Sequence, residues 1–310
     1  MRYTWGVNNN HPLGVTTEVA DAMAENRPVV ALESTLISHG LPSPRNLETA
    51  TAAEAAVREV GAVPATIAII DGTIRVGLAT SELERLASAD EVDKVSLRDV
   101  GRVLAEVGTG ATTVATTMFA AHRVGIGVFA TGGIGGVHRG GHGDVSADLT
   151  ALATIPVAVV CAGAKAILDL PRTVETLETL GVPTVGYQTD AFCEFWSPGD
   201  DLPVSARVDD PAGAASILKA HWSAGFSSGV LITVPVPVAD AVNRAVVERA
   251  VSSGLSAAKD ADVRGNALTP FLLDHVAGST GGATLEANVA LIVNNARVAG
   301  QVAGALIQSG

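Results

Sequence analysis

Short apolar runs alternate with helix-patterned segments along most of the chain, which restricts the fold to a sheet with helices on both faces. Residues 28–32, 65–70, 128–130, 183–187 and 230–234, with the run that ends at Cys161, read as buried strands. Helical spacing starts at Ser43, with serine as N-cap and Pro44 at the first helical position. It continues through Leu47, Ala50, Ala53, Val57 and Val60 to a stop at Gly61. Further helices are expected over 81–89, after the capping-box spacing of Ser96 and Asp99, and over 112–124, 147–154, 170–181, 211–224 and 239–253. Asp71-Gly72 is a hairpin-type turn between 65–70 and 73–77, so the sheet is mixed. Residues 268–277 and 284–307 are helical throughout in pattern, with Asn288, Asn294 and Asn295 interrupting the apolar stripe.

With 310 residues and 47% hydrophobic content the chain can bury a large core. Residues 1–27 read as an arm, 28–310 as a single domain and 196–202 as a surface loop. A balance of 20 basic against 32 acidic residues, net −12, argues against a grip on a nucleic-acid polymer, which depends on clustered Lys and Arg. An anionic ligand has to be held by a few local cations, backbone N–H groups or helix N-termini. Cys161 and Cys193 are too few for a disulfide framework or a zinc cluster and read as buried thiols of a reducing cytoplasm. Residues 1–11 lack the charged start and apolar core of a signal peptide. Mean hydropathy is +0.35, yet the longest uncharged apolar runs, such as 149–164, are broken by proline and glycine. A cytoplasmic protein with no membrane span is therefore expected.

Residues that could carry chemistry concentrate between Val128 and Lys165, where two strands deliver a glycine-dense loop, two acids and a lysine. Lys165 leaves the sheet among small residues, and desolvation there lowers an amine pKa, as an imine-forming nucleophile needs. The alternative is a lysine that reaches solvent or pairs with Asp169. Asp144 and Asp148 bracket Ser146 in a loop with His138 and His142. Such acids suit a Mg²⁺ or Mn²⁺ ion that keeps several waters; alternatively Asp144 or Ser146 merely caps the helix over 147–154. The glycines of 131–138 do not fit G-x-G-x-x-G, which excludes a dinucleotide site. They either let backbone N–H groups approach an anion or a sugar, or serve turns at a strand exit. Glu33 ends an apolar strand, where burial raises its pKa and suits it to proton donation, or where it caps a loop. Lys94, Arg98 and Arg139 are candidate phosphate partners, with Arg98 read as a solvated surface charge.

Taken together, ALESTLISHGLP at 31–42, KVS at 94–96, ATGGIGGVHRG at 130–140, DVSADL at 144–149, VCAGAK at 160–165 and LEAN at 285–288 closely resemble the pseudouridine-5′-phosphate glycosidase (indigoidine synthase A-like) family. The resemblance spans about 28–298. It implies an α/β fold, a three-layer α/β/α sandwich with a mostly parallel, mixed sheet and a helical C-terminal part. It also implies an enzyme that reversibly cleaves pseudouridine 5′-phosphate to uracil and ribose 5-phosphate, as a homotrimer with one Mn²⁺ per subunit, Mg²⁺ or another divalent ion being possible. By position, Lys165 matches the lysine that bonds the ribose anomeric carbon, Glu33 the proton donor and Asp144 the metal-linked aspartate. Ser146, Ala147 and Asp148 match the substrate-contacting triplet, with Asp148 also placed in the catalytic set. Lys94 matches the residue at the phosphate and Val114 a position lining the substrate; Thr131, His138 and Asn288 are further site residues. Two departures stand out: the segment between Arg139 and Asp144 is short, and Leu97 stands where a second basic residue is often found.

A C–C glycosidic bond offers no leaving-group oxygen to protonate, so an imine at Lys165 is the alternative. Competing readings are a lysine-dependent aldolase-type lyase on another sugar phosphate and a non-catalytic sugar-phosphate or nucleotide sensor. The joint presence of Glu33, Asp148 and Lys165 weighs against the sensor.

Overall fold

The computed structural model describes residues 13–89, 91–139 and 143–308. Among them eleven strands join in one sheet: β1 (Leu13–Val15), β2 (Val29–Leu32), β3 (Val63–Ile70), β4 (Thr73–Val76), β5 (Asp93–Val95), β6 (Gly110–Thr112), β7 (Val128–Ala130), β8 (Ala158–Cys161), β9 (Thr184–Tyr187), β10 (Ala206–Val208) and β11 (Val230–Thr233). The helices are α1 (Thr17–Ala24), α2 (Arg45–Glu59), α3 (Thr80–Ser88), α4 (Val100–Ala105), α5 (Val114–Val124), α6 (Ala147–Thr154), α7 (Leu170–Thr179), α8 (Pro211–Ser223), α9 (Arg244–Asp260), α10 (Leu268–Ser279) and α11 (Ala283–Gln308).

The order β3-β2-β7-β8-β11-β9-β10 is parallel throughout. Parallel neighbours need helical crossovers that cover both faces, which is why β2, β7, β8 and β11 are near-continuous apolar runs buried at every residue. α2, α8 and α11 pack together on one face, with α11 against β2, β7 and β8. α5 and α6 pair on the other, with α5 against β2, β3 and β7. The result is an α/β fold with helix layers on both faces of a mostly parallel, mixed sheet, and a helical C-terminal part.

β3 changes partners halfway. Its first half, from Val63 to Thr66, pairs with β2, and its second half carries β4 on one side and β6 on the other, both antiparallel. The Asp71-Gly72 turn between β3 and β4 takes positive φ at both residues, 47° and 71°, the geometry of a tight hairpin turn. Where β2 ends, β6 arrives from the opposite direction, and the join is closed by hydroxyls. Ser34 Oγ and Thr112 Oγ1 both donate to Ile67 O, at 2.7 and 2.6 Å, and Thr112 N donates to Ser34 Oγ at 2.9 Å.

Several sequence expectations change here. Residues 13–27, read as part of an arm, are built into the domain: β1 extends the sheet beside β4, and α1 buries Val19 and Ala22. Residues 1–12 lie outside the described residues. Of the segment 196–202, read as a surface loop, Trp196 and Ser197 are buried. Val242 meets two of their polar groups, its N–H donating to Trp196 O at 2.8 Å and its carbonyl accepting Ser197 Oγ at 2.8 Å. Lys94 sits in strand β5, and α5 begins after Thr112 because that residue belongs to β6. α9 begins at Arg244, not 239, because Asn243 Oδ1 accepts Ala245 N and fixes the start. α11 is long and apolar enough to cross a membrane, unlike the shorter runs, but half of its most apolar window is buried in the fold.

Asn295, which breaks the apolar stripe of α11, is fully buried, and its Nδ2 donates to Thr131 O at 2.9 Å and Gly132 O at 3.3 Å. It ties the helix to the loop after β7. Asn295→Ala removes that donor and is expected to lower the unfolding free energy by about 1–3 kcal/mol in a urea titration. An unchanged midpoint would show that the tie carries no weight.

Candidate active site

Strand order reverses between β2 and β7, since the chain passes from β2 outward to β3 and later returns to β7 on the opposite side. In open α/β sheets ligands bind outside the carboxyl ends of strands at such a switch point. A cavity of about 610 Å³ lies there, lined by residues that follow β2 (Glu33), β6 (Thr113, Val114), β7 (Gly132) and β8 (Lys165).

Glu33 is buried, and its two oxygens accept hydroxyl hydrogen bonds from Thr35 and Thr131. Thr131 does not line the cavity itself; it holds Glu33. Lys165 is half-buried, its N–H donates to Ile134 O at 3.1 Å, and its ammonium has no hydrogen bond or ion pair among the described residues. Asp169, the alternative partner, instead caps α7 by accepting Arg172 N at 3.2 Å. Lys94 is also half-buried in the cavity wall. Burial pushes its ammonium below the usual lysine range, the charge of Lys165 adds to the push, and Asp148 and Glu33 oppose it.

Ser146 caps α6: its Oγ accepts Asp148 N at 3.2 Å. The carboxylate of Asp148 is spent on backbone, accepting Ala115 N at 3.0 Å and Gly135 N at 2.8 Å, so it pins the start of α5 to the glycine-rich loop. Val114 at the start of α5 and Ser146 and Ala147 at the start of α6 all line the cavity, which thereby faces two helix N-termini. Asn288 of α11 closes another wall.

Asp144 is exposed at the cavity edge, and its carbonyl accepts His138 N at 3.0 Å. Burial holds the His138 imidazole below the usual histidine value, with Asp144 opposing the shift and Lys94 and Lys165 reinforcing it. Among the described residues no three His, Cys, Asp or Glu side chains form a metal cluster. His142 and the short segment 140–142 lie outside the described residues.

Gly132, Gly133 and Gly135 of the glycine-rich loop line the cavity. None of Gly132, Gly133, Gly135 and Gly136 has positive φ. What excludes a side chain is crowding. A Cβ on Gly133 would meet the Phe195 ring at 2.7 Å, and one on Gly135 would meet Ser146 Oγ at 2.3 Å. Arg139 turns away from the cavity onto Glu248, and Arg98 is 75% exposed beside Asp99. Sequence reasoning passed over His39, Thr113 and Phe195, all of which line the cavity. His39 lies inside the motif at 31–42, whereas nothing local marks Phe195 as a partner of Gly133.

The indigoidine synthase A like protein family model matches residues 18–305. A pseudouridine-5′-phosphate glycosidase of Caldanaerobacter subterraneus subsp. tengcongensis is 51% identical over 95% of this chain and 96% of its own. One from Herpetosiphon aurantiacus is 53% identical over 94% and 97%. Among solved structures, the prealnumycin C-glycosynthase AlnA in complex with ribulose 5-phosphate superposes with a TM-score of 0.89 at 45% identity, covering 96% of this chain and 97% of that one. An indigoidine synthase A-like protein from Thermotoga maritima gives 0.89 at 33% identity, over 99% and 100%.

Burial lowers the pKa of His39 as well as that of His138. The unfolded chain therefore takes up protons near the ordinary value of about 6.5 while the folded chain does not. Stability is fully present above that value and is lost as pH falls toward the depressed folded values. His39→Gln/His138→Gln is expected to flatten this acid limb in unfolding titrations between about pH 7 and 5. A limb as steep as the parent's contradicts the assignment.

Proposed function

The chain belongs to the indigoidine synthase A like family, and from that premise we propose that it reversibly cleaves the C–C glycosidic bond of pseudouridine 5′-phosphate to uracil and ribose 5-phosphate. The observation that carries the reading is the match, at about half identity and nearly full length, to relatives named for that activity. Supporting it, Glu33 and Lys165 share one cavity whose opening is set by the switch between β2 and β7.

The Lys165 amine bonds the ribose anomeric carbon as the C1′–O4′ bond breaks and O4′ takes a proton. The nitrogen lone pair then forms C=N while the C1′–uracil bond breaks, and the departing uracil carbon takes a proton from Glu33. Water adds to the iminium, releasing ribose 5-phosphate and the free amine. Burial, with the charge of Lys165 beside it, holds the Lys94 ammonium below the usual lysine range. The phosphate is read as lying between Lys94 and the N-termini of α5 and α6, where Ala147 N has no acceptor among the described residues.

Asp144, with His138 near it, fits a hard divalent ion such as Mn²⁺ that completes its shell with water, because a single exposed carboxylate is a sufficient protein anchor for such an ion. When bound, that ion orients the phosphate or its waters. The family resemblance supports a homotrimer, and the two buried thiols a reducing cytoplasm. A second reading, C–C bond formation with another acceptor, is favoured by the solved C-glycosynthase.

Release of uracil from pseudouridine 5′-phosphate, followed by its ultraviolet absorbance shift, tests the activity, and its absence refutes the first reading. Lys165→Ala is expected to abolish turnover while ribose 5-phosphate still binds. Borohydride with ribose 5-phosphate is expected to leave a mass increment on Lys165, and an unmodified protein sinks the covalent step.

A further inference from the structure

Arg139 closes the glycine-rich loop and, by charge, invites assignment to the substrate phosphate. The structure uses it differently. Its Nε donates to Leu168 O at 3.0 Å and its Nη2 to Ala166 O at 2.9 Å. Nη1 and Nη2 also donate to the two carboxylate oxygens of Glu248, each at 3.0 Å. Four N–H donations from one planar fork leave little for a ligand, and an ammonium could not reproduce them.

Both carbonyls belong to the turn that directly follows Lys165. The turn is closed by Leu168 N on Lys165 O at 3.0 Å, and the glycine-rich loop grips its other side, Ile134 O accepting Lys165 N at 3.1 Å and Val137 O accepting Asp169 N at 2.9 Å. Ala166, Ile167 and Leu168 are buried, so carbonyls left without a donor there would be costly. The Arg139 hydrogen bond holds the Glu248 carboxyl below its usual range. Glu248 stands on α9 one turn after Arg244, which pairs with buried Glu194 at 3.0 Å. Phe195, next to Glu194, lines the cavity. The first turns of α9 thus brace both walls around Lys165.

We propose that Arg139, oriented by Glu248, is a positioning residue that fixes the Lys165 turn and so aims the amine at the anomeric carbon, without touching the phosphate. The proposal rests on the reading of Lys165 as the nucleophile. Misplacing a reacting group by about 1 Å costs on the order of 100-fold in rate, whereas the phosphate grip is left intact.

Steady-state kinetics of Arg139→Lys and Glu248→Gln provide the test. Arg139→Lys is expected to lower kcat about 10- to 100-fold, and Glu248→Gln less. KM and the ribose 5-phosphate Kd should stay within about twofold, and borohydride trapping at Lys165 should slow in parallel. A raised KM and Kd with kcat retained assigns Arg139 to the phosphate and overturns the proposal, as do parent values in both variants. If Arg139→Lys fails to fold, Glu248→Gln, on a partly exposed helix face, carries the same comparison. Labelling of Lys165 by trinitrobenzenesulfonate, read by peptide mass, needs no substrate. Equal labelling rates in the parent and both variants overturn the clamp even for a chain that never releases uracil.

Discussion

The site depends on the change of partner along β3 at Ile67. Up to Thr66 this strand is flanked by β2, and beyond Ile67 by β6 running the other way, so two strands end almost head to head. Backbone groups stranded at such a junction would be left unpaired in the interior. Ser34 and Thr112 resolve this by sharing Ile67 O and bonding each other. Because the junction is closed by small hydroxyls and not by a continuing strand, Glu33 leaves β2 at the point where Thr113 and Val114 leave β6. β5, parallel to β6, brings Lys94 to the same place.

Around that opening, charge is distributed by position in the fold. Lys94 and Lys165 face Glu33 and Asp148 across one cavity, but the acids are already engaged. Asp148 is committed to the amides of Ala115 and Gly135, and Glu33 to two threonine hydroxyls. The two ammonium groups have no such engagement among the described residues, and two helix N-termini add positive potential nearby. An anionic sugar phosphate meets that surplus although the whole chain carries −12. Net charge bounds polymer binding; it says little about a pocket built from a few buried groups.

Much of the parallel core was legible because period and polarity are local properties. The runs at 28–32 and 230–234 appear one residue shorter, and the run at 128–130, the Asp71-Gly72 hairpin and the helix over 147–154 appear as read. The boundaries that moved did so for tertiary reasons: Thr112 was claimed by β6, and α9 waited for its Asn243 cap. Residues 13–27 carry too short a pattern to announce β1, whose only strand partner among the described residues is β4. Trp196 and Ser197 looked like loop surface because the residue that bonds Trp196 O and Ser197 Oγ, Val242, is remote in sequence.

For the site, the residue types and their motifs were readable: an acid after one strand, a lysine after another, a capped helix between them. What each side chain touches was not. Two glycines read as room for a ligand or a turn also make room for Phe195 and Ser146, and an arginine read as a phosphate partner is held by Glu248 and two carbonyls. The sequence by itself determined the parallel α/β class and the identity of the chemical groups, since both rest on local pattern. Which groups converge, and which are consumed in holding others still, was decided by the register of β3 and the packing of α9 and α11, contacts between residues far apart along the chain.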